Sequence, residues 1–90
     1  MAYVIRIISK ADETPSECDG QWVMSYDAHV GPQNDGLISG YLITTPELRR
    51  AKKFATQQEA LECYGQQNGL RPDGKPNRPM TAFTVCIESI

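Results

Sequence analysis

The ten residues QWVMSYDAHV, positions 21–30, alternate in character. Trp22, Met24, Tyr26, Ala28 and Val30 fall on one side; Gln21, Val23, Ser25, Asp27 and His29 fall on the other. A period of two belongs to a strand with one buried face, so this run commits the chain to a sheet. GPQNDG, residues 31–36, follows it with residues that tolerate left-handed backbone. LISGYLIT, residues 37–44, then predicts a strand that returns as a hairpin partner. Upstream, residues 3–8 are short, apolar and β-branched. A strand that is greasy on both faces belongs in the middle of a sheet. Residues 9–20, SKADETPSECDG, read as a loop. In the last run, residues 81–90, Phe83, Val85 and Ile87 share one face, and Thr84, Cys86 and Glu88 share the other.

Between the strands the signals turn helical. Thr45 can cap, Pro46 suits a first helical position and Glu47 complements the helix dipole. Leu48, Ala51 and Ala55 fall on one side of that short helix, with Arg49, Arg50 and Lys53 opposite and Phe54 at its end. TQQE, residues 56–59, has the spacing of a capping box and starts the main helix. Ala60, Leu61 and Tyr64 predict its buried stripe with Cys63 beside it, and Gly69 its stop. The order is βββ, helix, β. It predicts one α+β domain over residues 1–90: a three- to four-stranded antiparallel sheet with one main helix packed on one face. The fourth strand joins the core of the sheet if it pairs beside the first.

Composition excludes several classes. With 90 residues, 40% hydrophobic and 22% charged, the chain has globular proportions and a small core. No apolar run reaches the roughly 18 residues of a membrane span. The start carries Arg6 and lacks a basic n-region, so it reads as a strand rather than a signal peptide. Cys18, Cys63 and Cys86 are odd in number and widely spaced, which predicts reduced thiols and a cytoplasmic location. One disulfide with a free thiol is the alternative.

Chemistry is sparse. One histidine and three dispersed cysteines do not make a zinc site, and neither nucleotide-loop glycine pattern occurs. Ser25, Asp27 and His29 share one strand face, so the nucleophile stands beside the base rather than pointing at it. The expectation is a protein without catalytic residues, cofactor or metal. Charge is more informative. Residues 11–48 hold seven acids and no Lys or Arg, whereas residues 49–78 hold seven bases and three acids. Either half can steer a charged partner. The basic half contains Arg49, Arg50 and Lys53 on a helical turn. It also contains RPDGKPNRP, residues 71–79, whose prolines and glycine predict a stiff loop presenting Arg71, Lys75, Asn77 and Arg78. These seven residues are the candidate partner-binding set. They also suit phosphates, so direct nucleic-acid binding is the alternative, against a pI near 5.2 and the absence of a recognisable nucleic-acid-binding motif. The acidic half could instead imitate phosphates. Trp22, Tyr26 and Tyr41 are core or interface residues. Sheet edges leave monomer and homodimer both open.

The string RPDGKPNRPMTAFTV, residues 71–85, resembles the C-terminal signature of small uncharacterised proteins of bacteriophages and prophages. AKKFATQQEA, residues 51–60, is similar to a pattern common in short phage proteins. The resemblance implies an accessory protein of a mobile element, acting by non-catalytic binding to a host protein or protein–nucleic-acid complex. Inhibition of that machine, in the manner of anti-CRISPR proteins, is one such action. It supplies no catalytic or binding residues.

Overall fold

The computed structural model describes residues 2–30, 33, 34, 37, 38 and 40–90, with backbone alone at 33, 34, 37 and 38. The architecture is α+β. Strands β1 (Tyr3–Lys10), β2 (Trp22–Asp27), β5 (Tyr41–Thr45) and β6 (Phe83–Ser89) form an antiparallel sheet in the order β5-β2-β1-β6. A small ribbon, β3 (Gln33–Asn34) and β4 (Leu37–Ile38), pairs by itself. It interrupts the single third strand expected over residues 37–44. The expected turn residues 31, 32, 35 and 36 lie outside the described residues. Helix α1 (Gln57–Tyr64) contributes Ala60, Cys63 and Tyr64 to the core.

As expected, β1 is central; the sheet order, which the sequence left open, places β6 beside it. Ile5, Ile7, Val23, Tyr26, Phe54, Ala60 and Met80 form the core, with Phe83, Val85 and Ile87 of β6 packed against it. On the opposite sheet face one clasp spans three strands. Trp22 Nε1 donates to Glu88 Oε1 at 2.8 Å, and the Arg6 guanidinium lies 5.2 Å from the Trp22 ring and 3.7 Å from Glu88 Oε2.

Two bulges overturn the simple alternation. The β2–β5 register shifts between Val23 and Ser25. Val23 is therefore fully buried along with Tyr26 and Ala28, while Trp22 and Met24 are half-buried and Val30 is exposed. An extra residue flips the parity of everything beyond it. A second shift, between Ile7 and Ser9 of β1, leaves Ile8 47% exposed.

The helix expected after Thr45 shrinks to a 3-10 turn, Leu48–Arg50. Thr45 Oγ1 accepts from Glu47 N at 3.1 Å instead of capping a helix, and only Ala51 of the expected apolar side is buried. The reason is tertiary. Lys52 N donates to Val23 O, and Phe54 exchanges both backbone bonds with Tyr3. This short extended stretch serves backbone groups of β2 and β1 beyond their own contact at Arg6 and Trp22. It supplies the bonds that exposed or buried backbone must find.

Helix α1 starts where the capping box places it. Thr56 Oγ1 accepts from Glu59 N at 3.1 Å, and Glu59 Oε2 reaches back to Ala55 N at 3.0 Å. It ends at Tyr64, short of Gly69. Gln66 Oε1 accepts from Ala28 N and Asn68 Nδ2 donates to Ala28 O, which draws the chain off to the end of β2. Leu61, expected inside, is 48% exposed.

Candidate functional site

The stretch that links α1 to β6 is a miniature hairpin. Pro72 presets φ, Asp73 follows, and Gly74 takes φ +84°; Gly74 N donates to Arg71 O at 2.9 Å. Arg71 N donates to Lys75 O at 2.7 Å, so three residues make the loop. A turn followed by a left-handed residue is a common three-residue hairpin connection. Lys75 N also donates to Asp73 Oδ1 at 3.0 Å. Behind the loop Leu70 bridges Pro76, and at the base Asn68 N donates to Asn77 O and Asn77 N donates to Gly69 O. The base is anchored on both sides. Asn68 and Gln66 hold Ala28, and Met80, 1% exposed, inserts into the core from the 3-10 turn Pro79–Ala82. The expected stiff loop is thus an ordered, braced hairpin.

The seven candidate residues part company here. Arg71 and Lys75 lie at the tip, exposed, and their side chains make no bond among the described residues. Asn77 is 9% exposed and forms the hairpin's base. Arg78 donates from Nη1 to the Gly65 carbonyl at the end of α1, where a cation also complements the helix dipole. Asn77 and Arg78 are therefore parts of the scaffold. In the other group, Arg49 pairs with Glu47 at 3.0 Å, and Lys53 donates to the carbonyls of Arg49 and Ala51. Arg50 is exposed and its side chain is unengaged among the described residues. One group is tied to β2 at Val23, through Lys52, and the other to Ala28 just past the end of β2, through Asn68.

One tip residue escaped the sequence reading. Leu70 is 61% exposed, beside Arg71. A leucine between Gly69 and Arg71, in a loop of prolines, belongs to neither the helical nor the strand pattern; that isolation was the available signal. The tip therefore combines an apolar side chain with two cations.

Three acids of the acidic half are engaged in local turns. Asp12 accepts from the Thr14 amide and hydroxyl, Asp19 from the Ser16 amide and hydroxyl, and Asp27 from the His29 amide at 2.8 Å. Bonds from Thr14 hold the Asp12 carboxyl below its ordinary pKa. Asp27 thus serves the His29 backbone. Two shallow grooves flank Cys18. One, of about 560 Å³, is lined by Lys10, Pro15, Ser16, Glu17, Cys18 and Phe83; the other, of about 330 Å³, borders Gln21, Leu42 and Thr44. All three cysteines are free thiols, and burial raises the Cys63 thiol. Among the described residues no helix is long and apolar enough to cross a membrane. Comparison with protein-family models, curated proteins and solved structures finds no match.

Proposed function

We propose that this chain is a small accessory protein that acts without catalysis, binding a host protein or protein–nucleic-acid complex through the tip of the 68–77 hairpin. The observation that carries the reading is the preformed tip itself: Leu70, Arg71 and Lys75 stand exposed on a backbone whose own bonds are closed. A rigid loop loses little entropy on binding. An apolar residue beside two cations suits a protein surface with an acidic rim better than bare phosphate. The resemblance of residues 71–85 to phage and prophage proteins favours a partner in a host cell, and occlusion of a host machine is the simplest action for a binder of this size.

The test is capture from host lysate, with and without nuclease, by the tagged chain and by a Leu70→Ala, Arg71→Ala, Lys75→Ala variant. A stoichiometric protein that survives nuclease and is lost with the variant supports the reading. Recovery of nuclease-sensitive material alone, with affinity for bare DNA or RNA that falls steeply with salt, replaces it with direct nucleic-acid binding.

A further inference from the structure

Strand β6 forms one edge of the four-stranded sheet. Hydrogen-bond parity along the strand follows from its neighbours. Ala2 and Ile90 exchange both backbone bonds, so Ile90, Glu88 and Cys86 turn their amides and carbonyls toward β1. Independently, Tyr3 bonds Phe54, and Ile7 bonds Gln21 and Gly20, on the far side of β1. Their partners in the ladder, Ser89 and Val85, therefore face away from β1, as does Ile87. Among the described residues nothing bonds the outward groups of Val85, Ile87 and Ser89. At one end of the strand the outward carbonyl of Phe83 is taken by Tyr64 Oη at 2.8 Å. No Pro or Lys guards the strand, although edges are commonly blunted by such residues.

We propose that two copies of the chain pair antiparallel through β6, about a two-fold axis at Cys86, joining two four-stranded sheets into one. Cys86 is the middle residue of Phe83–Ser89, so this axis alone lets the whole strand face its copy. It sets Val85 against Ile87 of the second copy, and Ile87 against Val85, each pair exchanging two bonds through groups that already point outward. The apolar side chains meet on the core face. On the other face Glu88 meets Thr84, so no like charges oppose. The two Cys86 residues form the close pair at the axis, with Cα atoms about 4.5 Å apart. A two-fold normal to the sheet keeps both helices on the same side. The surface is isologous, as closed dimers require. It is independent of the 68–77 hairpin, so its failure would leave the proposed partner site standing.

The test is sedimentation equilibrium of the full chain in reducing buffer, with Cys86→Ala and Cys86→Glu beside the wild type. Cys86 is exposed and opposite Arg6 in the ladder, so both variants fold; circular dichroism checks this. The expected result is a concentration-dependent dimer of twice the 10.0 kDa chain mass. Cys86→Ala leaves its association unchanged. Cys86→Glu weakens it about fivefold, because like charges then meet at the axis. A short bis-maleimide joins two wild-type chains through Cys86 and not through Cys18 or Cys63. A wild type that stays at 10.0 kDa at every concentration, or a dimer indifferent to Cys86→Glu, overturns the proposal.

Discussion

The two basic segments of the chain use their cations in opposite ways. Around Leu48–Arg50, the backbone leaves a single 3-10 turn for an extended stretch bonded to β1 and β2, and two of its cations are engaged nearby while Arg50 is not. Lys53 covers two carbonyls and Arg49 pairs with Glu47. In residues 68–77 the hairpin closes its own backbone bonds, so Arg71 and Lys75 are left unengaged, while Arg78, just past the base, serves the end of α1. Lys53 and Arg78, where turn or helix gives way to extended chain, are recruited to carbonyls.

The largest test of this contrast removes the anchor of the first segment. Phe54→Ala deletes a ring that is 6% exposed and sits beside Tyr3; a loss of about 3–5 kcal/mol is expected in denaturant titration. In a domain this small that consumes much of the total stability. Gly74→Ala forces a side chain onto φ +84° and costs about 1–2 kcal/mol in the same assay. Arg78→Ala leaves the Gly65 carbonyl without its donor and costs about 1 kcal/mol. By contrast, Arg71→Ala combined with Lys75→Ala changes stability by no more than about 0.5 kcal/mol, while weakening partner capture. Equal losses from Arg78→Ala and from the tip pair would erase the distinction between scaffold and contact.

A last difference concerns pH. Burial raises the ionisation of Cys63, Tyr26 and Tyr64 above their ordinary values. A raised pKa means that the fold favours the neutral form. Stability is therefore complete below the ordinary thiol value, about pH 8.5, and declines as pH rises toward the folded values. Alkaline denaturation should begin in that window. Replacing Cys63 by Ala should delay its onset. An identical alkaline midpoint in the two proteins would contradict this assignment.

Features with local causes were legible. The capping box at Thr56, the turn at Pro72–Gly74, the two faces of β6 and the greasy central β1 all depend on residues within a few positions of one another. Short-range preferences are enough to set them. The bulge at Val23–Ser25, the docking of Lys52 and Phe54 on β2 and β1, the early end of α1 and the recruitment of Arg78 were not legible. The last three answer hydrogen-bond demands from partners distant along the chain: Val23 O and Tyr3 for the extended stretch, Ala28 for the helix end, Gly65 for the arginine. Such demands exist once the strands have assembled and left particular backbone groups in need of partners. The α+β order and the stiff cationic loop were thus written in the residues. That Lys53 and Arg78 are tied to carbonyls while Arg71 and Lys75 are not was settled by which carbonyls the assembled sheet and helix left open.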